Sequence, residues 1–186
     1  MEHFYQNIPG WFSYEYIYKE VVDMVEDGDI IVEIGSYKGK SAAYMAVELL
    51  NSGKKVQFDC IDPCKLLPTY TDIKNSDVEL VDGYSAEGFH SRLSSVQGYY
   101  NLIEMSSVDA ANKYADNSIS FIMIDGDHAY ESVKTDVLTY LPKMKSGGIM
   151  VGDDAFDAGV WKAVNDALPH LEVKLLNGIH FYVEVP

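Results

Sequence analysis

The feature that most constrains the fold is a repeated alternation of short apolar runs with helix-like segments. Buried strands are predicted for "GDIIVEIGS", "KVQFDCIDP" and "SISFIMIDG", because each is an apolar run closed by glycine or proline. The segments that follow, such as "KSAAYMAVELLNSG" and "YESVKTDVLTYLPKM", have the apolar spacing of helices. A helix is also predicted for "SAEGFHSRLSSVQG", with Gly98 as its C-cap. Strands that alternate with helices predict an α/β fold with a parallel sheet and right-handed crossovers.

The C-terminal end departs from this alternation. The strand-like runs "LEVKLL" and "IHFYVEV" are joined by Asn177-Gly178. Such a pair favours a two-residue hairpin, because a type I′ turn needs positive φ at both positions. The length of 186 residues favours a single domain over 1–186. Within it we expect an aromatic N-terminal segment at 1–20 and a loop insertion at 63–83, which holds two prolines.

The acidic balance of the chain limits its partners. It has 29 acidic and 14 basic residues, a net charge of −15, and Arg92 is its one arginine. Such a surface repels phosphate backbones and anionic membranes, so neither nucleic acid nor a membrane is expected as a partner. No apolar run approaches the roughly 20 residues that span a bilayer, and the N-terminus lacks a signal-peptide pattern. We therefore expect a cytoplasmic protein with Cys60 and Cys64 reduced, and homo-oligomer formation stays open.

A glycine turn follows the first strand, in "GSYKGKS". A phosphate-binding loop needs four residues between its glycines, and here three separate Gly35 from Gly39. The dinucleotide pattern fails as well, because Tyr37 stands where its second glycine belongs. A phosphate-loop nucleotide enzyme remains an alternative, since Asp125 after "FIMI" suits the acid on the metal side of that fold.

The spacing that does fit is E-x-G-x-x-x-G, with Glu33, Gly35 and Gly39. A carboxylate at a strand end can bind an amino group, and the amides that open the next helix favour a carboxylate. The arrangement suits a zwitterionic amino acid, although a tight turn without a ligand would look the same. Asp62 ends the second strand about 27 residues after Gly35, where an acid can bind ribose hydroxyls. Its alternative role is that of a turn former before Pro63.

Four segments together resemble a known family: "VEIGSYKGKSA", "CIDP", "FIMIDGDHAYESVKTDV" and "LPKMKSGGIMVGDD". They are similar to class I S-adenosylmethionine-dependent methyltransferases over residues 20–184, and most similar to the branch of macrocin O-methyltransferase and cephalosporin-hydroxylase-like proteins. The resemblance implies a Rossmann-like, doubly wound, mostly parallel seven-stranded sheet with a C-terminal antiparallel hairpin. It also implies S-adenosylmethionine as the cofactor. The implied cofactor contacts are Glu33, Gly35, Ser36, Gly39, Ser41, Asp62, Ser107 and Asp125.

Acidic residues close two of the predicted strands. Asp125 follows "FIMI", and Asp153 and Asp154 follow "GGIMVG". In an open parallel sheet the carboxyl ends of strands meet at the ligand-binding edge. Carboxylates that crowd there repel one another unless a cation intervenes, and Mg²⁺ prefers oxygen ligands. We therefore predict a divalent metal site at these three residues. The resemblance implies the same, through metal-dependent members such as catechol O-methyltransferase.

His128 is the candidate catalytic base, together with Asp125. It lies three residues after Asp125, and imidazole can take a proton from a hydroxyl near neutral pH. A simple substrate contact is the alternative. We predict that Asp127 caps the helix that begins near Ala129. His3, His90, His170 and His180 are predicted to be surface or packing residues.

The N-terminal aromatic residues leave two alternatives, a wall of the ligand pocket or a lid on the sheet edge; they are Trp11, Phe12, Tyr14 and Tyr16. The function that these observations predict is metal-dependent O-methyl transfer from S-adenosylmethionine. The acceptor would be a hydroxyl of a small molecule: a sugar, a polyketide sugar or a catechol-like phenol. A non-catalytic protein that binds S-adenosylmethionine is the remaining alternative.

Overall fold

The computed structural model describes residues 1–65 and 83–186, so most of the loop insertion predicted at 63–83 lies outside the described residues. The strands are β1 Ile30–Ile34, β2 Gln57–Ile61, β3 Asn101–Ile103, β4 Ile119–Ile124, β5 Met144–Gly152, β6 Lys174–Leu176 and β7 His180–Glu184. The helices are α1 Glu15–Met24, α2 Lys40–Ser52, α3 Ala86–Arg92, α4 Ser107–Ala110, α5 Tyr130–Tyr140 and α6 Ala158–Ala167. None of the helices in the described ranges has the length and apolar character to cross a bilayer.

One seven-stranded sheet carries the fold, in the order β3-β2-β1-β4-β5-β7-β6. The strands from β3 to β5 are parallel, and β7 runs antiparallel to both β5 and β6. Asn177 and Gly178 have φ values of 51° and 73°, and the Ile179 amide donates to the Leu176 carbonyl at 3.0 Å. The predicted mostly parallel sheet with a C-terminal antiparallel hairpin is confirmed.

Helices cover both faces of the sheet, which explains why the central strands are apolar without alternation. In β1, Ile31 faces the core formed with α1 and α2, and Val32 faces the core formed with α5 and α6. Both side chains are fully buried. The sheet is therefore packed on two sides, and its strand ends are the edge where a ligand can approach.

The helix predicted for "SAEGFHSRLSSVQG" is shorter than expected. The α-helix ends at Arg92, and a 3₁₀ turn follows at Ser94–Val96, before the expected stop at Gly98. Leu93 and Val96 are both buried. A 3₁₀ turn places residues three apart on one side, which brings these two side chains onto the core.

Candidate active site

A cleft with a volume of about 1270 Å³ opens at the carboxyl ends of the parallel strands. Pockets for a single small ligand usually have roughly 300–1,000 Å³, so this cleft has room for a cofactor and a second molecule. Most of the predicted site residues line it: Gly35, Ser36, Ser41, Asp62, Ser107, Asp125, His128, Asp153 and Asp154. Among the described residues, the lining does not include Glu33 or Gly39.

The glycines of the first turn are required by packing between elements. Gly35 has φ of 87°, and a Cβ there would lie 2.0 Å from the carbonyl oxygen of Asp125. Gly39 has φ of 89° at the N-cap of α2, where a Cβ would lie 2.6 Å from Leu93 Cδ1. Gly35, which the resemblance implies as a cofactor contact, lines the cleft and also permits the close approach of the turns that follow β1 and β4.

Glu33 and Ser36 lie on either side of Gly35 in the sequence, and the Ser36 hydroxyl is one of the groups that lower the pKa of Glu33. The hydroxyl of Ser36 is buried in the cleft wall, and no hydrogen-bond partner is found for it among the described residues. Such an orphaned polar atom fits a site for a polar ligand. Glu33 is fully buried behind the wall, where Tyr18 donates a hydrogen bond to it. Burial raises the pKa of Glu33 to about 7, and nearby hydroxyl groups oppose the rise.

The side chain of Asp62 connects the turns after β1 and β2 by hydrogen bonds. Its side chain is buried and accepts hydrogen bonds from the amides of Tyr37 and Cys64, each at 2.7 Å. The hydroxyl of Tyr84 donates to it at 2.6 Å. Burial raises the pKa of Asp62, and these donors oppose the rise. The predicted ribose-binding carboxylate therefore also organises the cleft floor.

The outer part of the cleft gathers Asp125, His128 and Asp154, each with one metal-binding atom within 4.8 Å of the others. His128 Nδ1 lies 2.8 Å from Asp154 Oδ2, and His128 Nε2 lies 3.6 Å from Asp125 Oδ1. Asp154 has φ of 54°, in the left-handed region. Such backbone strain recurs at functional sites.

Charge and burial shift the protonation of this cluster. Burial raises the pKa of Asp125 to about 6, and His128 and the hydroxyl of Tyr14 oppose the rise. Tyr14 donates to Asp125 Oδ2 at 2.8 Å. The neighbouring carboxylates, Asp125 first, raise the pKa of His128. The cluster can therefore hold a proton or a cation between carboxylates, which is the property that a metal site or a general base requires.

Asp153, the third predicted metal ligand, faces a different partner. Its Oδ1 lies 2.9 Å from His180 Nδ1 and accepts the Asp154 amide at 2.8 Å. His180 is fully buried between the rings of Tyr14 and Tyr16, whose centroids lie 5.8 and 6.1 Å away. The sequence predicts only a surface or packing role for His180. His180 lies beside Asp153 because β7 pairs antiparallel with β5, and the hairpin signal of Asn177-Gly178 predicts only the pairing of β6 with β7.

The helix-capping role predicted for Asp127 is wrong. The cap position of α5 is Ala129, which makes no side-chain cap bond. Asp127 lies two residues earlier, where it accepts the Ala129 amide at 3.2 Å and the Ser132 hydroxyl at 2.8 Å. The N-cap is the residue with extended backbone directly before the first helical residue, and here that residue is Ala129. Asp127 instead supports the start of the helix from the preceding turn.

The N-terminal aromatic residues contribute to the cleft in different ways. Trp11 and Phe12 line it, and the exposed ring of Trp11 stacks on Tyr37 with centroids 6.2 Å apart. Tyr14 reaches the outer cluster through its hydroxyl, and Tyr16 lies within α1. Of the two alternatives, the structure places Trp11 and Phe12 in a pocket wall.

More than half of the chain matches a known protein family. A family described as a methyltransferase domain matches residues 32–155, and the chain belongs to this family. No curated protein matches the chain. The fold, the family and the cleft together define a class I S-adenosylmethionine-dependent methyltransferase, as the sequence predicted. The phosphate-loop alternative is therefore set aside, and the macrocin branch stays a prediction.

Solved structures show the same fold at low sequence identity. The O-methyltransferase NovP is 16% identical, with a TM-score of 0.71, over 91% of this chain and 78% of that one. CalS11, a TDP-rhamnose 3′-O-methyltransferase of calicheamicin biosynthesis, is 19% identical, with a TM-score of 0.59, over 91% and 76%. Cofactor-bound Rv0187 from MTB is 13% identical, with a TM-score of 0.62, over 96% and 83%. At such identities the likeness concerns the fold.

Proposed function

We propose that this protein is a divalent-metal-dependent O-methyltransferase that acts on a small molecule with neighbouring hydroxyl groups. The observation that carries the proposal is the cluster of Asp125, His128 and Asp154 in the cleft wall. The two carboxylates of this cluster would hold a cation between them, which would remove their repulsion, and His128 beside them would stay free of the metal. Asp153 adjoins the cluster through the Asp154 amide and is proposed as a third carboxylate for the cation.

The arrangement of His128 supports a role as general base. Its Nδ1 lies at hydrogen-bond distance from Asp154, which favours the tautomer with the proton on Nδ1. The lone pair of Nε2 is then available to accept the proton of a substrate hydroxyl. A metal, when bound, supplies a Lewis acid that lowers the pKa of that hydroxyl. Asp125 is held in position by Tyr14 and keeps its carboxylate beside His128.

The cofactor end of the cleft is assigned to the turn after β1. S-Adenosylmethionine, when bound, supplies the sulfonium methyl group. The orphaned hydroxyl of Ser36 would bind its amino acid portion, and Asp62 its ribose. Enclosure between these residues and the outer cluster would orient the acceptor oxygen towards the methyl group and exclude water.

The acceptor is proposed to be a sugar or a phenol. Trp11 and Phe156 line the cleft and have 75% and 68% of their surface exposed. Aromatic faces of this kind can cover the apolar face of a sugar or a phenol ring. The fold shared with the sugar O-methyltransferase CalS11 supports the same class of acceptor.

The test is formation of S-adenosylhomocysteine from S-adenosylmethionine by metal-stripped protein, with catechol or TDP-rhamnose as the acceptor. We expect turnover only after Mg²⁺ or Mn²⁺ is added, and loss of at least about 100-fold in rate for Asp154→Asn. Asp127→Asn is the matched control, because it also lines the cleft but lies outside the cluster. Equal turnover with EDTA and with metal would rule out metal dependence. Cofactor binding without turnover on either acceptor would favour the non-catalytic alternative.

A further inference from the structure

Asp136 is a buried carboxyl group in the cleft wall that the proposed chemistry does not use. It lies on the face of α5 that lines the cleft and is only 5% exposed. Ser107 donates its hydroxyl to Asp136 Oδ1 at 2.5 Å. The other oxygen, Oδ2, lies toward Gly126, 3.9 Å from the place that a Cβ on that glycine would take. The carboxyl group thus bridges the turns that follow β3 and β4.

The surroundings of Asp136 do not neutralise it. Over residues 1–65 and 83–186, no ion pair joins it to a lysine, arginine or histidine. Burial raises its pKa to about 6, and the charge of Asp127 adds to the rise. A buried carboxyl group that receives one hydroxyl donor from the described residues is costly, and a ligand that brings another hydrogen-bond donor would lower that cost.

The position of Asp136 in the cleft restricts which part of a ligand it can meet. The turn with Ser36 is assigned to the amino acid portion of the cofactor, and Asp62 to the ribose. The polar wall formed by Ser107 and Asp136 is a separate part of the cleft, beyond β3 and along α5. The remaining portion of the cofactor is adenine, whose exocyclic amino group is its strongest hydrogen-bond donor.

The geometry points to Asp136 as the residue that selects adenine, with Oδ2 accepting a hydrogen bond from the exocyclic amino group. Ser107 fixes the orientation of the carboxyl group by its bond to Oδ1. Hypoxanthine carries a carbonyl oxygen in place of the amino group, and that oxygen would face the carboxylate without a proton between them. A site built around a hydrogen-bonding group rejects the analogue that cannot pair with it. The inference rests on the cofactor part of the proposed function and is independent of the metal.

The test compares two ligands by isothermal titration calorimetry in EDTA: S-adenosylhomocysteine and S-inosylhomocysteine, whose purines differ in the group on C6 and in the proton on the adjacent N1. For the unaltered protein we expect the inosine analogue to bind at least about tenfold more weakly. Asp136→Asn can offer either an oxygen or an NH₂ group, so its two affinities should agree within about threefold. Asp109→Asn is the matched control, because Asp109 is an exposed acid on α4 outside the cleft lining, and it should keep the original ratio.

Each other outcome counts against the inference. Equal affinities for the two ligands in the unaltered protein would overturn it without any variant, so a folding defect cannot obscure the result. Full discrimination by Asp136→Asn would place adenine recognition elsewhere. Equal weakening of both ligands by that substitution would assign the carboxyl group to ribose hydroxyls. Binding of neither ligand would overturn the cofactor site itself, whereas failure of the metal test alone would leave the expected ratio unchanged.

Discussion

The acids of this protein form two groups that differ in what balances their charge. The outer acids, Asp125, Asp153 and Asp154, follow β4 and β5. His128 lies 2.8 Å from Asp154, and His180 lies 2.9 Å from Asp153. The inner acids are Glu33, Asp62 and Asp136, and in the described part of the chain their hydrogen bonds come from hydroxyl groups and backbone amides.

The difference indicates two uses of a carboxylate. Neutral hydrogen-bond donors hold an inner acid in place, but they do not cancel the free energy that burying its charge costs. Burial therefore raises the pKa of all three inner acids. Two of the outer acids, Asp153 and Asp154, each lie beside a histidine ring nitrogen. A metal ion could take the place of such a nitrogen as the partner of the carboxylate. We therefore expect the inner acids to support the fold and the cofactor cleft, and the outer acids to respond to divalent cations.

The largest effect is expected for Asp125→Asn. Ligand binding to the native state raises the melting temperature by mass action, so millimolar Mg²⁺ or Mn²⁺ should stabilise the unaltered protein. The substitution should abolish that shift because it removes a charged ligand. In EDTA at pH 8 the melting temperature should stay the same or rise, since a buried charge is removed. Differential scanning fluorimetry across a divalent titration measures both effects.

Asp127→Asn provides the comparison for this substitution. Its side chain can still accept hydrogen bonds from Ala129 and Ser132, so the metal response should remain. The unaltered protein must show a shift beyond that of matched ionic strength. Without such a shift the outer acids are not a metal site, and the distinction between the two groups loses its functional meaning.

Asp62→Ala should act in the opposite direction on stability. It removes the acceptor of three hydrogen bonds, each worth about 1 kcal/mol net, so unfolding free energy should fall by about 3 kcal/mol. Affinity for S-adenosylhomocysteine should fall about tenfold or more, through the lost ribose contact and the disordered turn. Calorimetric titration and thermal melts measure the two losses.

Asp59→Ala distinguishes the loss of stability from the loss of ligand affinity, because Asp59 is an equally buried acid of β2. It accepts hydrogen bonds from Gln57, Asn101 and Tyr114 and does not line the cleft. We expect a similar loss of stability with unchanged ligand affinity. If both substitutions weaken binding equally, Asp62 contributes to the cleft only through the fold.

The sequence predicts the architecture well because local signals agree with one another. Apolar strands closed by glycine or acid predict the parallel part, and Asn177-Gly178 predicts the hairpin with positive φ at both residues. Helix boundaries are less predictable. The stop expected at Gly98 came too late, because burial of Leu93 and Val96 decides the backbone there.

The site is predictable as a set of residues but not as a geometry. Strand-end position was enough to place Asp125 and Asp154 in one cleft. It could not show that Asp153 turns to His180, since that contact depends on the packing of β7 beside β5. Strand-end position also could not show that Glu33 lies behind the cleft wall. Alternation along β1 shows which side chains share a face of the sheet, but not which of the two faces a ligand contacts.

The smallest expected effect is the difference between two pH values for a substitution at Asp136, the inner acid with one hydrogen-bond donor among the described residues. Its pKa is about 6 in the fold against an ordinary value of 3.8. The native state therefore binds the proton more tightly than the unfolded state, and this group makes the protein less stable as pH rises from about 4 to 6. Asp136→Asn removes that loss. At pH 8 it should raise the free energy of unfolding by up to about 3 kcal/mol, and at pH 5 by about half as much.

Thermal melts of the ligand-free protein at the two pH values measure this difference. For a chain of this size the gain at pH 8 corresponds to a rise of several degrees, roughly 2–4 °C for each kcal/mol. Asp109→Asn makes the same chemical change at an exposed site and is the control for the substitution itself. An equal gain for Asp136→Asn at both pH values would mean that its carboxyl group is not strained by burial. Asp136 would then not share the burial cost assigned to the inner acids, and the grouping by neutral donors would fail.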